Sequence, residues 1–185
     1  IREKLDHLEQ IAGRILDFGK SREAFRKPFS LKEIIEDAGL LVRLKLEQCH
    51  VTLHINEFPD DLFVFVDKGQ IQQALLNLML NALVAMPSGG KLMLEAGRSE
   101  EGKAQVLVKD TGTGIGQELQ GRIFDSFLTG TTEGTGLGLS ISKRILRAHD
   151  GDLDLLESGS DGTVFKITLP LSNQAVRLPN STFRR

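Results

Sequence analysis

The 185-residue chain has no tryptophan, no tyrosine and a single cysteine, Cys49. One thiol makes neither a disulfide framework nor a thiolate metal cluster within one chain. No apolar run approaches the roughly 20 residues a transmembrane helix needs, and no stretch reads as a signal peptide. Charge of one sign is also missing: 23 Lys and Arg stand against 25 Asp and Glu, a formal net charge of −2. That balance lacks the electrostatic footprint of a nucleic-acid or anionic-membrane binder, so neither partner is expected. What is present is a 40% hydrophobic composition, enough for a packed core. The length fits one domain of about 100–200 residues with a helical appendage. Glycine is unevenly spread, with eight of the 19 falling between Gly112 and Gly138. The chain opens on Ile1 rather than Met and is expected to be a fragment of a longer protein. The lone cysteine suits a cytoplasmic location, and a membrane anchor could precede the fragment.

Residues 1–19 read as an amphipathic helix. Ile1, Leu5, Leu8, Ala12 and Ile15 recur at alternating spacings of four and three, the seam of helices that pack along each other, and Ile11, Leu16 and Phe18 widen it. A bundle with another helix or a second copy is expected, with a helix lying on its own domain as the alternative. Ser21 to Ser30 is a polar connector containing Pro28. Ser30 and Glu33 form the pattern of a capping box, opening a helix to about Gln48. Strands are expected at Val51–Ile55 and Leu62–Val66, and Asp67 with Gln70 caps a second helix over Lys68–Ala85. Lys91–Ala96 and Ala104–Lys109 read as strands, Gln117–Phe124 as a short helical piece, and Leu137–Ala148 as a helix. A closing hairpin joins Asp152–Glu157 to Thr163–Leu169 around Ser158–Gly162. Strands mostly in hairpin pairs favour an α+β two-layer sandwich, a mixed sheet covered by helices on one face, over a doubly wound sheet.

Four features carry chemistry. Asn77 and Asn81 lie four apart, on one face of an otherwise apolar helix. Asparagine is a poor helix former, so two of them suggest amide oxygens for a hard cation such as Mg2+, or bridges to neighbouring backbone. Asp110 ends a strand and is followed by Gly112 and Gly114: an acceptor beside backbone that a ligand can approach, or a plain turn. Gly134, Gly136 and Gly138 open a helix, where backbone N–H groups make an anion site. This is neither a Walker loop nor the dinucleotide fingerprint, whose spacings are absent. Between them, Ile115 to Glu133 reads as a mobile lid carrying Phe124 and Phe127.

In this order N-L-M-L-N-A (77–82), D-T-G-T-G-I (110–115), I-F-D-S-F (123–127) and G-T-G-L-G-L-S-I (134–141) resemble the N, G1, F and G2 boxes of sensor histidine kinases. G-T-V-F-K-I-T-L-P (162–170) is similar to that family's last strand, and the start of the chain is similar to the second helix of its dimerisation domain. The nitrogen-regulation type is the nearest in character. The resemblance implies the Bergerat ATP-binding sandwich over 31–171, preceded by part of the dimerisation helix (1–20) and a linker (21–30), and followed by a tail (172–185). It implies Mg2+ and ATP as cofactors. Asp110 would accept from the adenine amino group, with Gly114 shaping the pocket and Thr163 supporting it through water; Gly112 and Ile115 would be further nucleotide-binding residues. Asn81 would ligate the metal with Asn77 beside it. Gly134, Gly136 and Gly138 would fold the lid over the phosphates, with Thr135, Leu137 and Leu139 among the nucleotide-binding residues, and Phe124 and Phe127 would anchor the lid by packing.

Asn77 occupies the place where hydrolysing relatives carry a glutamate base, which suits a phosphoryl donor that waits for a histidine. That acceptor histidine is absent; His7, His50, His54 and His149 lack its setting. Many relatives have a lysine near Thr131, where this chain has none; Lys143 on the following helix is either its substitute or a solvated charge. The implied partners are ATP or ADP, the chain's own dimerisation domain and homodimer mate, and a response-regulator receiver domain. A serine kinase of the anti-sigma type and a non-catalytic regulator remain as alternatives.

Overall fold

The computed structural model describes residues 24–57, 59–128 and 136–172. The amphipathic run 1–19, the loop 129–135 and the tail from 173 onward therefore lie outside the described residues. In chain order the elements are β1 (Lys27–Ser30), α1 (Leu31–Gln48), β2 (Val51–Ile55), β3 (Phe63–Val66), α2 (Lys68–Ala85), β4 (Gly90–Arg98), β5 (Ala104–Asp110), the single turn α3 (Gln117–Gln120), α4 (Gly138–Arg147), β6 (Asp152–Gly159) and β7 (Gly162–Leu169).

Five strands form one mixed sheet in the order β2-β4-β5-β7-β6, with β2 parallel to β4 and the other pairs antiparallel. Along β5 and β7 the side chains alternate strictly between buried and half-buried, as one covered face requires. Val106, Val108, Phe165 and Ile167 point into the core. The opposite face carries ion pairs such as Lys109–Glu95 at 2.8 Å.

The covering layer follows from helical spacing. On α2, Ile71, Ala74, Leu75, Leu78, Met79, Ala82 and Leu83 repeat at three and four and are all buried. α1 buries Leu31, Ile34, Ile35, Ala38 and Val42 on the same rhythm, and α4 buries Ile141, Ile145 and Leu146. These side chains and the inner sheet face form a single cluster. The α+β sandwich with helices on one face is the expected architecture.

Two local expectations change. The connector 21–30 is not polar linker throughout, because Lys27–Ser30 pairs antiparallel with β3 in a separate two-stranded sheet. Its partner β3 therefore does not form a hairpin with β2, which instead runs parallel to β4. Ser30 does precede α1, but its side chain makes no capping hydrogen bond. Glu33 is drawn instead to Lys68 at the start of α2, which also reaches Asp37 at 2.7 Å. The second cap forms as read, with Gln70 N donating to Asp67 Oδ1 at 3.2 Å.

Candidate functional site

Asp110 is the last residue of β5, the central strand of the sheet, and is 8% exposed. Its Oδ1 accepts two backbone N–H groups, from Gly112 at 2.8 Å and from Thr163 at 3.2 Å. Burial raises its pKa above the ordinary 3.8, and the two amides pull in the opposite direction without cancelling it. Its second oxygen, Oδ2, takes part in neither of these bonds. A cavity of about 340 Å³ opens here, lined by Asp110, Ser158, Gly162, Thr163 and the rest of the β6–β7 turn.

The loop after β5 is held closely against that turn. Gly114 has φ +73°, and a Cβ on it would lie 2.0 Å from the Gly159 carbonyl oxygen, so only glycine fits. Ile115 N donates to Ser158 Oγ at 2.8 Å, and the Gln120 amide donates to the carbonyls of Ile115 at 2.9 Å and Ser158 at 3.3 Å. Ser158 and Gln120 were not singled out from sequence. The available signal was the hairpin itself, since its pairing sets Ser158 opposite Thr163.

α2 brings Asn77 and Asn81 against the start of α4. Asn77 Nδ2 donates to Gly138 O and to Ser142 Oγ, each at 3.3 Å, so Asn77 bridges the two helices through its nitrogen while its oxygen remains available. Asn81 is exposed, and its amide lies 3.9 Å from where a Gly138 side chain would begin. Leu137 is buried and serves as an N-cap without a side-chain cap bond, so no side chain of the N-cap pairs with the first-turn N–H groups of α4. Leu139 packs at the edge of the core. Gly136 O accepts from Phe127 N at 3.0 Å, so the two ends of the loop 129–135 meet. Thr135 lies outside the described residues.

The two phenylalanines separate. Phe124 is half-buried against the core under the Lys143 ammonium, 4.2 Å from its ring centroid. Phe127 is 66% exposed. Lys143 is neither a free solvated charge nor turned toward the α4 start. It donates to Leu153 O at 2.7 Å and pairs with Asp152 at 3.3 Å. His149 is buried, donating from Nδ1 to Ile145 O at 2.8 Å and accepting Asp67 N–H at Nε2 at 3.1 Å, a structural histidine as expected. Among the described residues no group of three His, Cys, Asp or Glu side chains could hold a metal ion. A cation here would need neutral amide oxygens together with the charge of a phosphorylated ligand, and Asn81 and Asn77 fit that donor set.

The fold thus presents a buried carboxylate at the end of the central strand and, separately, a helix opened by glycine against the two asparagines. The chain belongs to the histidine kinase-, DNA gyrase B- and HSP90-like ATPase family, which matches residues 66–173. Within it the chain is a catalytic ATPase domain of the two-component sensor histidine kinases. It is 30% identical over 175 residues to the signal transduction histidine-protein kinase AtoS of Escherichia coli, spanning 94% of the chain and 29% of that protein. The catalytic domain of histidine kinase ThkA superposes with a TM-score of 0.71 at 32% identity, covering 79% of the chain and 95% of that domain. ThkA has also been solved in complex with the response regulator protein TrrA, with a TM-score of 0.77 at 30% identity over 92% of the chain and 49% of that chain. Full-length ShkA in complex with AMPPNP gives a TM-score of 0.82 at 25% identity, over 96% of the chain and 38% of that protein. The chain spans about a third of the length of the curated relatives it matches.

Proposed function

We propose that this domain binds Mg-ATP and donates the γ-phosphoryl group to a histidine outside the chain, for relay to a response-regulator aspartate. The observation that carries the reading is Asp110: one oxygen is fixed by two backbone amides, and the other is left as an acceptor in a cavity beside the loop. That oxygen takes the adenine amino group. The phosphates run toward the N-terminus of α4, where Gly136, Leu137, Gly138 and Leu139 present backbone N–H groups. Asn81, with Asn77 beside it, holds Mg2+, which when bound neutralises phosphate charge. Asn77 cannot act as a base, so no side chain at that position activates water. The domain's contribution is positioning and electrostatics: the γ-phosphorus leaves the β-phosphate oxygen as it bonds to a histidine ring nitrogen, and ADP departs.

Further parts of the reading rest on resemblance. On that resemblance residues 1–20 belong to the second helix of the dimerisation domain and pair with the homodimer mate, the receiver domain of a response regulator is the onward partner, and the protein is a cytoplasmic-side kinase of the nitrogen-regulation kind. Calorimetric titration of Mg-ADP and Mg-ATP into the chain tests the site. Micromolar affinity, on the order of −8 kcal/mol, is expected for the wild type and should vanish in Asp110→Asn. No acid-labile phosphate should accumulate on the purified chain with Mg-ATP; its appearance would place an acceptor within these residues. A wild type that binds neither nucleotide would leave a non-catalytic regulator as the better account.

A further inference from the structure

We propose that Ser142 is a positioning residue whose buried hydroxyl fixes the orientation of the Asn77 amide, and through it the Mg2+ dependence of nucleotide binding. The inference rests on the reading above, in which Asn81 with Asn77 beside it holds the metal. Ser142 lies one turn after Gly138 on α4 and is 0% exposed. Three groups reach its Oγ: the carbonyl of Gly138 at 2.8 Å, the carbonyl of Ala74 on α2 at 3.4 Å, and Asn77 Nδ2 at 3.3 Å.

The direction of each bond follows from what the partners can do. A carbonyl only accepts, and a hydroxyl has one proton to give. Whether Ser142 gives that proton to Gly138 or to Ala74, it goes to a carbonyl, and the hydroxyl oxygen is left to accept from Asn77. The same argument settles the amide, whose two ends are nearly isosteric. Asn77 also bonds Gly138 O at 3.3 Å, and against a carbonyl only its nitrogen end is attractive. The two N–H groups of that nitrogen thus serve Gly138 O and Ser142 Oγ, and Oδ1 takes part in neither bond. With both donors placed, the otherwise broad terminal torsion of an asparagine is pinned. The pinned group borders the spot where the metal is assigned: Asn77 Cγ and the Asn81 amide each lie 3.9 Å from where a Gly138 side chain would begin. Loss of the hydroxyl leaves one Asn77 N–H without its partner at a position water does not reach. The amide then spreads over other orientations, and its oxygen is no longer held in one place.

The experiment titrates ADP into the 185-residue chain in Mg2+ and in EDTA, and reads the ratio of the two affinities. The same ratio is measured for Ser142→Ala, Ser142→Cys, Asn77→Ala, Asn81→Ala and the double variant Ser142→Ala with Asn77→Ala. Ser142→Ala should lower the Mg2+ enhancement about three- to tenfold, the size of one hydrogen bond, with a smaller loss in EDTA. Ser142→Cys, nearly isosteric but a weak hydrogen-bond partner, should lower it likewise even if the alanine variant folds poorly. In the Asn77→Ala background, Ser142→Ala should change the ratio no further, because the hydroxyl acts through the amide. An unchanged ratio in the folded serine variants, equal losses with and without Mg2+, or additive effects in the double variant overturn the proposal and leave Ser142 a packing residue. A wild type whose ADP affinity ignores Mg2+, or Asn81→Ala that keeps the full enhancement, removes the metal assignment instead, and this proposal with it.

Discussion

Asp110 holds its place against its own burial. Because desolvation outweighs the two amide hydrogen bonds, the folded carboxyl keeps its proton to a higher pH than the unfolded chain does. Folding therefore takes up a proton between the two pKa values, and the native state loses stability as pH rises through that window. Wherever the group is ionised it is a standing penalty on the folded state. Asn in its place keeps the oxygen that accepts from Gly112 and Thr163 and removes the charge. Ligand-free Asp110→Asn should melt no lower than wild type at about pH 7, and any advantage should shrink as pH falls to about pH 4. Melting curves at both pH values check this, and a variant clearly less stable at neutral pH would contradict it. Asp110 and Thr163 were legible in sequence because each sits within a local motif. Ser158 was not, since its bond to Ile115 joins residues 43 apart and exists only once β6 lies beside β7 and the loop folds over their turn.

The elements around the site differ in how much of their glycine is structural. Gly114 is hemmed in by the Gly159 carbonyl and has a left-handed backbone. Gly138, the first residue of α4, has nothing nearer than the Asn77 and Asn81 amides at 3.9 Å. Gly114→Ala should therefore cost at least about 1–3 kcal/mol of stability and displace the loop from β6–β7, abolishing nucleotide binding. Gly138→Ala should leave stability unchanged or raise it by up to about 1 kcal/mol through helix propensity. Its methyl group would nevertheless stand between α2 and the helix start, where the phosphates are assigned, and weaken ATP more than adenosine. Urea midpoints and ligand titrations on the two variants separate these outcomes. The spacing of four between Asn77 and Asn81 announced a shared face, and the structure turns that face onto the start of α4. The Glu33 half of the capping box at Ser30 is engaged in a way no local pattern contains, paired with Lys68 of the following helix, and the Ser30 side chain makes no cap bond.

At the scale of the whole molecule, hydrophobic period and turn residues located nearly every strand and helix, while the pairings depended on the complete set. β2 and β3 looked like neighbours because a short turn joins them. The parallel place beside β4 instead takes β2, leaving β3 for Lys27–Ser30. That pairing moves the functional start of the fold upstream of the expected boundary at 31. Phe25 N donates to Asp67 Oδ2 at 3.1 Å, on the side chain that also caps α2. Arg26 pairs with Asp150 at 2.7 Å and donates to Ala148 O beyond the end of α4. The incoming segment thus reaches both helices that flank the nucleotide site, through residues that read in sequence as solvated linker. A chain beginning at Leu31 loses the strand, the Asp67 contact and the arginine clamp together, and leaves one edge of β3 without its partner. Each hydrogen bond contributes only about 0.5–1.5 kcal/mol net and the exposed ion pair less, so the combined loss should be on the order of 2–4 kcal/mol. Urea unfolding of chains beginning at Ala24 and at Leu31, compared with each other, measures it. Equal midpoints would return residues 24–30 to the role of a linker, whereas the expected gap makes Lys27–Ser30 the first strand of the catalytic domain.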